Sequence, residues 1–232
     1  MPPRATATAS PFLATRRKAP RARGLARRER LLDAAWDLIA ERDLGAVSLV
    51  DVAARAEVPV GSAYHYYDDI REVYEALAAR VAAQLLERHA APLRRRPRRW
   101  AQVVEELIDR GVAYFNEHPA AAGLLIGPQT PPQLKFRDRE RDRVLAQVFE
   151  SQVDARFELP RFAERPAVFF RALEIADLML SLSIVDDGVI TPAMTAEAKR
   201  ACIAYLGSYV PAVLPRRRLA ARPPRRSALR GL

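Results

Sequence analysis

Apolar residues recur along this chain at the three-to-four spacing of helices, and no stretch alternates long enough to require a strand. From Leu25 to Arg42, the residues Leu31, Leu32, Ala35, Leu38 and Ile39 share one face with charges between them, which predicts an amphipathic helix ended by Asp43-Leu44-Gly45. Ser48 stands three residues before Asp51, a capping-box-like start for a short helix carrying Leu49, Val52 and Ala53 and ending near Ala56. Pro59 is tolerated in the first turn of the next helix, which runs through Gly61 and Tyr64 to about Tyr67. A fourth helix starts around Asp69 and carries Val73, Leu77, Val81 and Leu85 toward His89, closed by Pro92. Further helices are expected near 99–117, 119–126, 133–157, 166–185 and 195–213, separated by Pro119, Gly127-Pro128, Pro160, Pro166, and Gly188 with Pro192. The pattern describes an all-α chain of about nine helices: an N-terminal three-helix helix-turn-helix head joined to a helical body.

Composition agrees with helix. Half of the 232 residues are hydrophobic, only 7% are aromatic, and Ala and Leu are abundant. The net charge of +10 lies at the ends. Residues 1–30 hold nine basic and one acidic side chain and 215–232 hold seven basic and none acidic, which leaves 22 basic and 27 acidic residues for 31–214. Pro- and Arg-rich ends bury no core, so 1–24 is expected to be a disordered basic arm and 215–232 a disordered basic tail. An arm beside a DNA-binding motif can track phosphates or enter the minor groove. The assigned domains are 25–72 for the head and 73–214 for the helical body, and Arg94–Arg99 is a basic connector. A single cysteine, Cys202, forms no internal disulfide, and no apolar run reaches membrane length, so a cytoplasmic protein with no membrane partner is expected. Arg16, Arg17 and Lys18 precede no apolar stretch, so no secretory signal is read.

The informative segment is Ser48 to Tyr67, SLVDVAARAEVPVGSAYHYY. A helix-turn-helix needs a small residue where its helices cross, apolar residues that lock the pair, and short side chains on the outer helix. Ala53, Val58 and Ala63 meet those needs, and Ser62, Tyr64, His65 and Tyr66 offer donors to phosphates or base edges.

With its flanks, RERLLDAAWDLIAERDLGAVSLVDVAARAEVPVGSAYHYYDDIREVYEAL from Arg28, this segment resembles the N-terminal domain of tetracycline-repressor (TetR) family regulators over nearly its whole length. The paired alanines of the family's first helix correspond to Ala34-Ala35, its second-helix start to Ser48, and its Ile-Ala pair to Val52-Ala53. Its recognition-helix signature corresponds to Gly61, Ser62, Ala63 and Tyr64, followed by the aromatic Tyr67. The resemblance implies that Ser48, Ser62, Tyr64 and Tyr67 contact phosphate or buttress such contacts, with His65 and its neighbours Val60, Gly61, Ala63 and Tyr66 toward bases, and Arg28 in the same set. Three positions depart from the family pattern. Glu57 replaces the turn glycine, a cost of about 1 kcal/mol if the left-handed conformation is kept. Asp43 replaces the glycine after the first helix, with Gly45 two residues on, so that loop is expected to rearrange. Ile70 replaces the family's lysine at the start of the fourth helix, and Arg71, one position on, is expected to supply its phosphate contact.

The resemblance also implies a homodimer through the last two long helices, a pocket for a small-molecule effector in each subunit, and double-stranded operator DNA as partner. The apolar run from Ala167 to Ile184 needs cover on more than one face, and Phe169, Leu173, Ala176 and Leu180 with Ile203, Leu206 and Val210 are the expected dimer interface. Trp100, Val104, Leu107, Tyr114, Phe115, His118, Leu124, Phe149 and Phe170 are the candidate pocket residues, Tyr114 and His118 being its polar handles.

No cofactor, metal site or catalytic residue is expected. His65, His89 and His118 are dispersed and lack a Cys partner, and GxSxG, GxxxxGK[ST] and GxGxxG are absent. The run FRDRERDR, Phe136 to Arg143, reads as a solvated, salt-bridged helix face, Asp186-Asp187-Gly188 as a helix exit, and Cys202 as core. The expected function is a TetR-type regulator, a repressor released from a pseudo-palindromic operator by an effector. The alternatives are an activator or an effector-independent regulator on the same fold, or a helical carrier or enzyme that does not touch DNA.

Overall fold

A computed structural model describes residues 18–217 of the chain. The described residues form nine α-helices: α1 Lys18–Glu41, α2 Leu49–Arg55, α3 Val60–Ala63, α4 Ile70–Ala90, α5 Trp100–Glu117, α6 Pro119–Leu125, α7 Pro132–Asp154, α8 Arg165–Asp187 and α9 Pro192–Gly207. Contacts divide the chain into two compact units between Arg80 and Val81, within α4. The first turns of α4 therefore belong to the first unit, where Val73, Tyr74 and Leu77 are buried and Arg80 bridges Glu29 at 2.6 Å and Asp33 at 2.7 Å on α1. The expected limits of 72 and of the Arg94–Arg99 connector both differ from this division.

In the first unit, α1 packs on α2 and α2 on α3. Leu31, Ala35, Val52, Ala53, Ala63 and Leu77 are almost fully excluded from solvent, which is the apolar face that the periodicity predicts. A 3₁₀ turn at Leu44–Ala46 follows α1, and neither Asp43 nor Gly45 takes a left-handed conformation, so the loop is rebuilt with no glycine requirement. The buried Tyr74 hydroxyl donates to the Leu44 carbonyl at 2.6 Å and anchors that turn, and burial pushes the phenol up to about 12.

In the second unit, α8 packs along α9 and on α7, and α5 contacts α6, α7 and α9. The buried Arg110 guanidinium ties the end of α4 to α5. It donates to the carbonyls of Arg88 at 2.9 Å, Ala91 at 2.8 Å and Pro92 at 2.6 Å, and to Glu106 at 2.7 Å. The Arg88 carbonyl is one that the end of α4 leaves without an intrahelical partner, and those of Ala91 and Pro92 lie just beyond the helix. Gly188, at φ 73°, ends α8, as the Asp186-Asp187-Gly188 reading expects. Cys202 is core, its thiol pushed up to about 12 by burial. The start of the expected disordered tail is ordered: Phe157 pairs with Arg216 in an isolated antiparallel bridge, Glu158 N–H donating to Pro215 O at 2.9 Å and Arg217 N–H to Arg156 O at 2.9 Å. Residues 218–232 and most of the 1–24 arm lie outside the described residues. No helix among the described residues is long and apolar enough to cross a membrane.

Candidate nucleic-acid interface and effector cavity

The hairpin of α2 and α3 is built as its residue types require. Ser48 closes a full capping box, its hydroxyl accepting from Asp51 N–H at 3.2 Å while Asp51 accepts from Ser48 N–H at 2.9 Å. That hydrogen bonding with the Ser48 hydroxyl and amide holds the Asp51 carboxylate below its usual range. Ser48 is thereby a cap first. The helix ends with Glu57 at φ 53°, with Val58 N–H reaching Ala53 O at 3.0 Å and Glu57 N–H reaching Ala54 O at 3.2 Å. These are the two bonds of a Schellman turn, with Glu57 at the left-handed position that glycine occupies best, and Val58 buried against the helix it caps.

Helix α3 is shorter than expected. Pro59 is its N-cap, and regular helix gives way to turns after Ala63, although Tyr67 N–H still reaches Ala63 O at 3.0 Å. The segment is anchored on one side: Ala63 and Tyr67 are buried while Val60, Gly61, Tyr64 and His65 are exposed and Ser62 and Tyr66 half-buried. Ala63 therefore serves the core and presents no side chain outward, a correction to its place among the DNA-facing residues. Tyr67 is likewise internal: its hydroxyl accepts from Arg28 Nε at 3.1 Å and its ring lies 5.6 Å from that guanidinium. Gly61 has ordinary helical backbone, and a Cβ there would meet nothing within 4 Å. Nothing inside the unit requires a glycine at that position. Arg71 is exposed at the start of α4, its guanidinium 3.8 Å from Asp69.

In the second unit a cavity of ≈ 60 Å³ lies among α4, α5, α7, α8 and the end of α6. Of the expected pocket residues, Leu107, Phe115 and Phe149 line it. The others serve packing. Trp100 is buried with Nε1 donating to Pro211 O at 2.8 Å; Tyr114 donates to Gln84 and its ring lies tilted against that of His118, centroids 4.7 Å apart; Phe170 lies 4.1 Å from the Arg143 guanidinium; Val104 and Leu124 are core. The polar groups of the cavity are instead His89, Asp138, Arg141, Asp142 and Asp177. The expectation of a solvated face over Phe136 to Arg143 is thus overturned for three of its residues. Positions 138, 141 and 142 continue the inward stripe of Leu134, Leu145 and Phe149 at helical spacing. Charges on that stripe were the available signal, and the mixture of signs around them hid it.

Burial and the neighbouring Asp177 push Asp138 up to about 6, and burial with Asp138 and Asp177 pushes Asp142 up to about 9. Lys135 meets Asp177 at 3.2 Å, Arg141 meets Asp138 at 3.7 Å and Arg139 meets Glu174 at 3.0 Å. His89 is buried between the carbonyls of Leu85 at 2.7 Å and Leu107 at 2.9 Å; burial outweighs those bonds and lowers its pKa.

The expected dimer residues also divide. Phe169, Ala176, Leu180, Leu206 and Val210 are buried within the single chain, Ile203 is half-buried, and Leu173, Ala176 and Leu180 line the cavity. The apolar side chains left exposed on α8 are Leu178, Leu182 and Val185, one stripe at four- and three-residue steps.

Residues 31–77 match the family profile described as bacterial regulatory proteins, tetR family, and 98–209 match that of the tetracyclin repressor-like C-terminal domain. The structure is similar to a TetR-family transcriptional regulator from Streptomyces coelicolor at 26% identity and a TM-score of 0.62, covering 80% of this chain and 98% of that one. It shares its fold with a TetR regulator from Rhodococcus sp. RHA1 (21%, 0.59, 80% and 97%) and with SmeT, the repressor of a multidrug efflux pump of Stenotrophomonas maltophilia (15%, 0.57, 79% and 90%). No curated protein matches the chain. A helix-turn-helix in the first unit, an all-helical second unit, and two family profiles in the corresponding order along the chain lead to one conclusion: the chain belongs to the tetracycline-repressor family of bacterial regulators, DNA-binding transcription factors and not enzymes.

Proposed function

We propose that this regulator is a homodimeric, cytoplasmic repressor that inserts α3 into the major groove of each half of a pseudo-palindromic operator and releases it when a small molecule enters the body cavity. The observation that carries the DNA-binding reading is Gly61. Its Cβ-free position on the exposed face of α3, beside Tyr64 and His65, forgoes helix propensity for no internal reason and leaves room for a phosphate backbone or a base edge. In this reading Val60, Gly61, Tyr64 and His65 face the groove. Ser62 and Tyr66 reach its wall, Ser48 and Arg71 lie by phosphates, and Tyr67 holds Arg28 toward the backbone.

Dimerisation is assigned to the α8 stripe of Leu178, Leu182 and Val185, because the buried residues of α8 and α9 are already committed within the subunit. The cavity supports release. Its volume holds only about four to six waters, so a ligand must part its walls, and α4 supplies one wall while its first turns belong to the head.

Binding of the purified protein to DNA from upstream of its own gene, against unrelated DNA across a salt series, tests the reading. Saturable binding of a dimer that Tyr64→Ala abolishes without dissociating the dimer is expected. Full binding by that variant overturns the assigned roles. Weak binding that ignores sequence and vanishes with salt would reduce the interaction to its electrostatic part.

A further inference from the structure

The cavity walls are aliphatic and aromatic: Leu86, Ile108, Leu125 and Leu145 with Phe115 and Phe149. Into this apolar space α7 and α8 bring three carboxylates, Asp138, Asp142 and Asp177, against one lining guanidinium, Arg141. Asp138 is only 8% exposed and meets Arg141 at 3.7 Å, longer than a hydrogen bond. Lys135 engages Asp177 and also donates to Leu125 O at 3.2 Å, so its charge is shared with a carbonyl. Carboxylates crowded in an apolar space repel one another and lose hydration, which is why Asp138 and Asp142 hold their protons above the usual aspartate range, and leucines at these positions would pack at lower cost. Such an arrangement marks a site whose missing charge arrives from outside.

We propose that the molecule this cavity admits is an amphipathic organic cation, a protonated amine on an apolar body, with its charge met by Asp138, Asp142 and Asp177 and its body enclosed by Phe115, Phe149 and the aliphatic walls. The inference rests on the reading of this cavity as the effector site. The two phenyl rings add a second attraction that a neutral ligand lacks, because a cation over an aromatic face is drawn to its quadrupole. An anion would gain from Arg141 and lose to the Asp138 and Asp177 carboxylates, whereas a cation favours release of the Asp142 proton, which burial and those neighbours otherwise retain at pH 7.

The test uses the full chain at pH 7 and three naphthalene probes of one shape: 1-naphthylmethylamine, 1-naphthylmethanol and 1-naphthoic acid, followed by their fluorescence in equilibrium dialysis. The amine is expected to bind at least tenfold tighter than the alcohol, and the acid weakest. The double variant Asp138→Asn/Asp142→Asn is expected to bring the amine within about threefold of the alcohol while the alcohol keeps its affinity, which also reports that the cavity still folds. Ala176→Trp fills the cavity and is expected to abolish binding of all three. If the amine gains nothing over the alcohol and Ala176→Trp blocks both, the cavity remains the ligand site and the cation proposal is overturned. Binding that survives Ala176→Trp overturns the reading of the cavity itself, and binding of none of the probes overturns the cation proposal.

Discussion

Glu57 pays for its place in the turn between α2 and α3, and replacing it with glycine measures that cost. At φ 53° a side chain with a Cβ is strained by about 1–2 kcal/mol, whereas glycine takes the same conformation freely. Glycine also gains freedom in the unfolded chain, which returns about 0.5–1 kcal/mol. The Glu57 side chain is exposed and its removal uncovers no core, so Glu57→Gly is expected to stabilise the first unit by about 0.5–1 kcal/mol. Hydrogen exchange at the Val58 amide is the direct readout, because that amide closes the turn on Ala53 O at 3.0 Å. A gain of about 1 kcal/mol slows exchange roughly fivefold where opening limits it. Glu57→Ala keeps the Cβ and is expected to stay close to wild type. Equal gains from alanine and glycine would trace the effect to the glutamate side chain, and no gain from glycine would show that the turn carries no strain; either result refutes the argument.

The remaining predictions use other parts of the molecule. Gly61→Ala, set in open space on α3, is expected to stabilise the head by up to about 1 kcal/mol while weakening operator binding, read by denaturation and by DNA titration; unchanged operator affinity would remove the close-approach argument. Arg110→Met leaves three carbonyls and Glu106 without their buried donor and is expected to cost about 3–5 kcal/mol in chemical unfolding, with less than 1 kcal/mol refuting the clamp. Asp138 and Asp142 keep their protons to about 6 and about 9, against 3.8 for an ordinary aspartate. The unfolded chain releases these protons first, so the stability they contribute is complete below about pH 4 and is lost as pH rises through those values, by at most about 1.4 kcal/mol per pH unit per proton. Asp142→Asn is expected to flatten the decline in thermal midpoint between pH 5 and pH 9, and curves parallel to wild type would contradict the assignment.

The local elements were legible in the chain because their causes are local. The Ser48–Asp51 capping box, the Pro and Gly breakers and the apolar periodicity place α2 and α4 to α8 within a few residues of their observed limits, whereas α9 stops at Gly207, short of the expected 213, and the Glu57 departure forecasts a strain that its φ of 53° bears out. Helix α3 was read too long because the one-sided pattern of Ala63 and Tyr67 runs on through the turns that follow the regular helix. The cavity was hidden for a related reason. FRDRERDR has the composition of a surface, and only the packing of α7 on α8 turns Asp138, Arg141 and Asp142 inward beside Asp177.

By itself, then, the sequence determined the all-α class, the helix-turn-helix with its outward Gly61-Ser62-Tyr64 face, and the family, since capping, periodicity and turn chemistry act over a few residues. Tertiary structure alone decided which side chains share a space. It left Tyr114, His118 and Trp100 outside the lining of the body cavity, committed Leu180 and Leu206 to the interior of the chain, left Leu178, Leu182 and Val185 exposed, and gathered the carboxylates of two helices around one apolar cavity. A periodic pattern states that a helix has a buried face, but the partner that covers that face is set by contacts between residues distant in the chain, and these carry no signature in either segment alone.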